Sequence, residues 1–469
     1  MGLSAAMETG KNGLTIYRVA TEVTSQNIAN VNTPGYSRQR VILESAPPTV
    51  VNGFPLGTGV RIATVERYYD GLLQQQLVNA QSTQGYDTTK SNVLQQIEPT
   101  FNEIAQDGLG AAISNFFGAW QDLTLNPAGS AERQAVLSRA QILTDNFHSV
   151  STALNDTISI QNATLKPLTD DINATLKNIA QLNSQIRTTE LVSGNANEIR
   201  DQRDQLVRDL SKQIGITYKE NSDGTTDVNY ADGVGAALVT GSVAGSFSLV
   251  PNGTISDVYV AAAGGGAAAL VAPKTGQLGA TMALRDTIIP GYLAKVDELA
   301  NAIATQVNNN HNDAKSQLIT PAHNSYDFNG DEGVDFFNGT TAKDILLNLT
   351  SSSQVAAAGV SGLVGDNSNA LKLAQLQNKL TMSTGAATFN SYFGSLVSQV
   401  GLDVLSAKNT ETQDIAFTKQ LSTLRESNSG VSLDEELTNL IKYQRSYQAS
   451  AKLITTATEM MDTVINLIR

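Results

Sequence analysis

Hydrophobic positions in the last stretch of the chain, Val431 to Arg469, recur in alternating steps of four and three. The seam runs Leu433, Leu437, Leu440, Gln444, Tyr447, Ala451, Ile454, Thr458, Met461, Ile465 and Ile468. That 3.5-residue period predicts a helix that lies along another helix. Neither Gly nor Pro interrupts it. Ser432, followed three residues later by Glu435, reads as a capping box, with Asp434 also in the first turn. At 1.5 Å per residue the rod is roughly 57 Å long and cannot bury its stripe alone. The N-terminus offers a partner. Leu3, Met7, Gly10, Leu14, Tyr17, Thr21, Thr24, Ile28 and Val31 keep the same rhythm, and Ile16, Ala20 and Val23 widen it. The expected arrangement is an antiparallel pair of termini. Gly10 and Gly13 cost about 1 kcal/mol apiece inside a helix, and Thr21, Thr24, Gln444 and Thr458 put polar groups on the seams. The pair is therefore expected to order fully only where neighbouring copies cover it. Two ordinary amphipathic helices closing a globule would show the same pattern.

Between the ends the periodicity changes several times. Pro34 and Gly35 stop the first helix, and Tyr36 to Glu66 reads as extended around a Pro- and Gly-rich turn, Pro47 to Gly59. Helical pattern returns from Arg67 to about Pro99 and again after Asn126-Pro127. Its seam there is Val136, Ala140, Leu143, Phe147, Val150 and Leu154, then Leu165, Leu168, Ile172, Thr175, Ile179, Leu182 and Ile186. Pro167 predicts a kink or break in it. Asn197 to Gln213 reads as a shorter helix whose Arg200, Asp204 and Arg208 are spaced for pairing on a solvated face. From Gly215 to Pro273 the alternation is that of short strands, with Asn221-Ser222-Asp223-Gly224 as a hairpin signal. Helix resumes near Leu278, with Leu293, Val296, Ala300, Ile303 and Val307 on one face, and again over Asn367 to Leu380 and Thr388 to Leu424.

The fold class is thus mainly α: paired terminal coiled-coil helices and a long helical bundle, with a small inserted all-β domain. The expected domains are 1–66 with 425–469, 67–214 with 274–424, and 215–273. A chain of 469 residues is long enough for several such parts. Its net charge of −13 argues against nucleic acid and anionic membrane surfaces as partners. Cysteine is absent, which removes disulfides, thiol catalysis and thiolate-bound metals. Glu8, Lys11 and Arg18 break up the first twenty residues, so no cleavable signal peptide is visible. The most apolar tract, Val258 to Ala272, is far too short for a membrane span.

Three stretches carry a resemblance. The run Asn27-Ile28-Ala29-Asn30-Val31-Asn32-Thr33-Pro34-Gly35-Tyr36-Ser37-Arg38 resembles the motif shared by bacterial rod, hook and hook-associated proteins. Ser429 to Leu437 and Leu440 to Lys452 resemble the C-terminal signature of the same flagellar axial proteins. The segment from Leu278 through Leu284-Arg285-Asp286, Ile289-Pro290-Gly291-Tyr292-Leu293 and Asn309-Asn310-His311-Asn312 is similar to the FlgK family of hook–filament junction proteins, over a region that hook and rod proteins do not share. Filament flagellins lack the Pro-Gly-Tyr turn in that place.

The resemblance implies a non-enzymatic structural subunit, exported through the flagellar type III channel without a cleaved signal peptide and resident in the extracellular flagellum. It implies self-association into a tubular ring, the hook protein and the next hook-associated protein as neighbours, and a dedicated export chaperone. The assembly residues it suggests are Leu3, Leu14, Tyr17, Ile28, Val31, Asn32, Pro34, Gly35, Tyr36, Leu437, Leu440, Tyr447, Ile454, Met461, Ile465 and Ile468. The chaperone would take Leu437, Leu440, Tyr447, Ile454 and Met461 in a helix-in-groove mode. A hook or distal-rod protein is the rival of the same class. A peptidoglycan-cleaving rod-associated enzyme is the rival of another, and no stretch suggests the positioned carboxylate it needs.

Chemistry elsewhere is thin, and no cofactor is expected. Asp327-Phe328-Asn329-Gly330-Asp331-Glu332-Gly333 spaces oxygen side chains like a calcium loop, but Gly falls out of place and position twelve is Asn338, so an Asx-type turn is expected. His148, His311 and His323 have no ligand spacing. Trp120, beside Phe116 and Phe117, is expected in the core.

Overall fold

The computed structural model describes residues 2–51, 54–101, 108–232 and 235–467. Helix α1 (Gly2–Ala29) runs to the Thr33-Pro34-Gly35 turn. Four strands follow: β1 (Gln39–Ser45), β2 (Thr49–Val51), β3 (Phe54–Leu56) and β4 (Val60–Arg67). β1 pairs antiparallel with β4, and β2 with β3, a ribbon where the alternation predicted one. Next come α2 (Gly71–Phe101), α3 (Leu109–Leu125), α4 (Ser130–Ser193) and α5 (Asn197–Gln213). The break expected at Pro167 does not occur, and α4 continues through it. One missing N–H is a small loss where Leu165, Leu168 and Ile172 beside it are all buried.

The all-β stretch holds two antiparallel sheets. β5 (Ile216–Glu220), β6 (Thr226–Tyr230), β7 (Ala237–Thr240) and β8 (Val243–Ala244) lie in sequence order. β9 (Ser246–Asn252), β10 (Ile255–Ala261) and β11 (Ala269–Leu270) form the second sheet with β10 in the middle. The chain then returns to helix: α6 (Gly276–Ala283), one π-helical turn (Leu284–Ile288), α7 (Ile289–His311), α8 (Asp313–Ser316), α9 (Ser368–Gln375), α10 (Phe389–Ser429) and α11 (Leu433–Leu467).

Contacts divide the chain into two compact units. The first, here the terminal unit, holds residues 1–86, 167–278 and 413–469; the second, the bundle unit, holds 87–166 and 279–412. In the terminal unit α1 packs along α11. The β segment is not looped free of its helices. Asn173 on α4 exchanges two hydrogen bonds with the backbone of Phe247 (2.7 and 2.8 Å). Asn183 on α4 donates to Thr226 O and Gly241 O and accepts from Thr226 N. Each carboxamide stands in for a strand neighbour and satisfies backbone groups that the sheets leave open.

The bundle unit is organised by apolar burial. Val136, Ala140, Leu143 and Phe147 on α4 and Val296, Ala300, Ile303 and Val307 on α7 are fully buried, as their shared period requires. Trp120 sits in the same core, with Phe116 5.1 Å from Phe117, 5.7 Å from Phe336 and 5.6 Å from Phe337 between ring centroids.

Candidate assembly surface

The turn after α1 is fastened by side chains from four elements. Asn27, buried on α1, donates to Gln39 O (2.9 Å) and to Glu436 Oε2 (3.0 Å) on α11. Its Oδ1 accepts from the Tyr36 hydroxyl (2.8 Å) and from Gln39 N (2.9 Å). All four hydrogen-bonding positions of one carboxamide are therefore filled. Arg38 donates to Glu436 Oε1 (2.7 Å) and Glu435 Oε2 (2.6 Å). Glu435, which the sequence offered for a capping box, thus ties α11 to the turn instead. Gly35 lies at φ 82°, and a Cβ there would meet Gln205 Oε1 at 2.9 Å, so the position favours glycine on both counts.

Helix α5 holds this turn with charges, and here the sequence reading is corrected. The run Arg200, Asp204, Arg208 does not lie on a solvated face: Asp204 and Arg208 are buried and Arg200 is half-buried. Asp201 accepts from Ser37 N (2.7 Å), Ser37 Oγ (2.8 Å) and Arg67 of β4 (2.7 Å). Arg67 also pairs with Asp204 (2.8 Å), and Arg203 bridges Asp204 and the Gly224 carbonyl. Arg200 pairs with Glu190 of α4 (2.7 Å) and with Glu220 of β5. None of these pairs is the i,i+4 pair that the spacing suggested; every partner except Asp204, the neighbour of Arg203, comes from another element.

Burial opposes the charge on Arg67, yet Asp204 and Asp201 outweigh it and hold its pKa above the usual arginine value. Arg208 has glutamines rather than carboxylates on its guanidinium (Gln74 2.9 Å, Gln205 2.7 Å); burial and the nearby Arg425 push it down to about 10. Arg425 in turn donates to the Gly35 carbonyl (2.7 Å). Burial, with Glu198 and Asp201 close by, raises the Tyr36 phenol above its ordinary range.

The terminal pair is antiparallel, and its contact uses part of the predicted seams together with positions outside them. The buried positions of α1 are Gly10, Gly13, Ile16, Ala20, Val23, Thr24 and Asn27. On α11 the buried positions are Glu436 and Ala457. Tyr17 and Tyr443 stack with centroids 6.4 Å apart. Gly10, Ile16, Ala20, Val23, Thr24 and Ile454 belong to the predicted stripes, whereas Gly13, Asn27, Glu436 and Ser450 do not. A Cβ on Gly10 would lie 2.6 Å from Ile454 Cγ1, and one on Gly13 would lie 2.6 Å from Ser450 Oγ. The two glycines are where the helices approach most closely, which offsets their cost in helix propensity.

The predicted residues are placed accordingly. Leu3, Leu14, Tyr17, Ile28 and Val31 are half-buried, as are Gly35 and Tyr36; Asn32 and Pro34 are exposed. Leu440 and Ile454 are half-buried, with Ile454 against Gly10. Leu437 (49%), Tyr447 (41%), Met461 (38%) and Ile465 (55%) remain exposed. Ile468 lies outside the described residues. Of the residues that organise the site, Asn27, Arg38 and Glu436 lie in the quoted motifs without an assigned role, and Asp201 was not singled out. The signal available for them was polar residues at positions where a helix face should be apolar.

The other candidate chemistry resolves into structure. Asp327 Oδ1 accepts from Asn329 N (2.8 Å) and Asp331 N (3.0 Å), an Asx turn. His311 is fully buried; its Nδ1 lies 2.6 Å from Val334 O, its Nε2 accepts from Ala356 N (2.8 Å), and burial pushes it down to about 4. His148 Nε2 lies 2.8 Å from Ile345 O. Among the described residues no group of three or more His, Asp or Glu side chains could hold a metal ion, and no helix is long and apolar enough to cross a membrane.

Comparison with known proteins supplies the family. Residues 94–337 match the flagellar hook-associated protein FlgK helical domain. Residues 7–36 match the flagella basal body rod protein family, and 425–467 match the flagellar basal body rod FlgEFG protein C-terminal family. Flagellar hook-associated protein 1 of Bacillus subtilis (strain 168) is 29% identical over 498 residues, covering 98% of this chain and 97% of the relative. The protein of the same name from Escherichia coli (strain K12) is 27% identical over 549 residues, covering 99% and 100%. The structure of the flagellar hook junction protein FlgK from Burkholderia pseudomallei matches with a TM-score of 0.68 at 16% identity, covering 76% of this chain and 100% of that one, a likeness of fold. With the FlgK helical domain spanning more than half of the sequence and the axial motifs at either end of it, the chain belongs to the flagellar hook-associated protein FlgK family, as a structural protein of the flagellum at the junction of hook and filament.

Proposed function

We propose that the chain performs this role by self-association into a tubular ring between the hook protein and the next hook-associated protein, with its termini making the axial contacts. The observation that carries the reading is the apolar row that α11 leaves uncovered in a single chain: Leu433, Leu437, Tyr447, Met461 and Ile465 are all between 38% and 55% exposed. A row of that kind on one helix calls for neighbours to cover it. It runs beside a terminal pair whose own contact is already made through Gly10, Gly13 and Asn27. Before assembly the same row suits an export chaperone, with Leu437, Tyr447 and Met461 as outward anchors and Leu440 and Ile454 at the edge of the α1 contact. Passage through the flagellar type III channel without a cleaved signal peptide belongs to this reading, as does the absence of catalysis. The working division stays tripartite: 1–66 with 425–469 for axial contacts, 67–214 with 274–424 for the helical body, and 215–273 for a β domain.

Electron microscopy of a deletion strain tests the role. Bare hooks without filaments are expected; loss of the hooks themselves points to the hook or distal-rod alternative. Complementation with Leu437→Glu/Ile465→Glu should fail while the purified variant keeps its helical circular dichroism. Full filament growth on that variant overturns the exposed row as the assembly surface.

A further inference from the structure

We propose that the α1–α11 pair is a two-register device, in which a polar lock at one end sets the register and the remaining seam is shaped to shift by one helical turn. In the observed register Asn27 meets Glu436, Gly13 meets Ser450, and Gly10 meets Leu453 and Ile454. Large interlocking knobs are what normally fix the register of paired helices. Here the closest approaches are made by glycine, and Tyr17 and Tyr443 meet as stacked rings that can glide over one another. A shift of one turn brings Ser446 opposite Gly13 and Ala449 with Ser450 opposite Gly10, side chains at least as small as those they replace. In the other direction Leu440 rather than Ser432 would come opposite Asn27, an apolar side chain that offers the carboxamide no partner. The shift that brings Ser446 to Gly13 is therefore the favoured one.

The lock is polar and directional. Glu436 is buried and receives both Asn27 (3.0 Å) and Arg38 (2.7 Å), while Arg38 N–H donates to Ser429 O (2.8 Å). Sliding by a turn would place Ser432 opposite Asn27, leave the carboxamide one hydrogen bond short and part the buried Glu436 carboxylate from it, which is unfavourable. Buried polar groups that fix register at some expense of stability are the best-attested use of such clusters. A non-helical link, Gly430 to Ser432, separates α10 from α11 and lets α11 move along its axis without dragging α10. The device goes beyond the junction reading and does not depend on it. It would let one subunit change the axial reach of its termini by about 5.4 Å, one helical pitch.

The chain contains no cysteine, so two introduced ones carry spin labels uniquely. Labels at Glu8→Cys and Lys442→Cys, both on exposed positions, report the register by pulsed electron–electron distance measurement on the full chain. With the lock intact one distance is expected. In Asn27→Ala/Glu436→Gln a second population should appear, shorter by about one helical pitch, roughly 5 Å. Arg38→Ala, which leaves both helices unaltered in sequence, should show the same second distance at lower occupancy. An unchanged single distance in both variants overturns the proposal. So does a broad distribution with α1 and α11 parted, because the cluster would then supply pairing rather than register.

Discussion

In the bundle unit the large buried side chains are mostly aromatic: Trp120, Phe116, Phe117, Phe336, Phe337 and Phe389 form one contiguous core. The terminal unit has an apolar core of its own, with Ile172, Ile179, Leu210, Val228, Val239 and Val258 all buried, but around the turn after α1 the buried side chains are Arg203, Asp201, Asp204 and Arg208. The difference is one of geometry required of each part. An apolar core is non-directional and accepts many packings of similar volume. A network of arginines and aspartates is satisfied in one arrangement only, at a desolvation cost that apolar groups do not incur. Both units draw stability from apolar burial, and the charged network adds to the terminal unit the means of holding a turn, a ribbon and two helix ends in one relation.

That contrast can be broken first in the bundle. Phe116→Ala should remove about 3–5 kcal/mol by lost transfer energy and an unfilled cavity. The chain has a single tryptophan, Trp120, within that core, so its fluorescence reports the bundle unit's melt and should move to lower denaturant. A shift worth less than about 1 kcal/mol would mean the aromatic cluster repacks freely.

In the terminal unit Asp201→Ala leaves Ser37 N and Oγ without their acceptor and Arg67 with one carboxylate instead of two. The expected loss is about 3 kcal/mol, as for breaking a buried pair. Hydrogen exchange should rise at Ser37 and Gln39 while the Trp120 transition stays in place. A shift in both readouts would show that the two units do not respond separately.

Acid sharpens the comparison from the bundle side. His311 in the folded chain titrates near 4, against about 6.5 unfolded. Above pH 6.5 both states are neutral and nothing is lost. As pH falls from about 6.5 to 4 only the unfolded chain takes the proton, so stability declines by roughly 3 kcal/mol in all and levels off below. Between pH 6.5 and 5, above the carboxylate range, the slope in the Trp120 transition should fall by about one proton in His311→Gln, the remainder belonging to His323, which burial and Lys372 also push down. A slope that the substitution leaves unchanged refutes the assignment.

The smallest effect is expected at the turn itself. Gly35→Ala should cost about 1–2 kcal/mol for a left-handed backbone, with Gln205 able to move aside. Faster exchange confined to the Tyr36–Gln39 amides is the expected reading; no change would mean the turn relaxes to another conformation at no cost.

Much of the architecture was legible because it rests on local chemistry. The span of α5, the turn at Pro34-Gly35, the β hairpin at Asn221 to Gly224 and the shared face of Val136 and Val296 each follow from propensity or periodicity within a few residues. The motifs around Thr33-Pro34-Gly35-Tyr36 and Leu433 to Lys452 likewise carried the family without any coordinates.

What the tertiary structure alone decided is which faces meet. Periodicity ranks positions by hydrophobicity, so it set Leu437, Tyr447 and Met461 on the same seam as Ile454; Ile454 meets Gly10 as that seam requires, but Leu437, Tyr447 and Met461 are exposed, and Gly13, Ser450 and Asn27 complete the contact. It likewise set Arg200, Asp204 and Arg208 in solvent, because their partners, among them Glu190, Glu220, Arg67 and Gln74, lie on other elements. A charge or a glycine owes its meaning to what stands opposite it, and the backbone must fold before anything does.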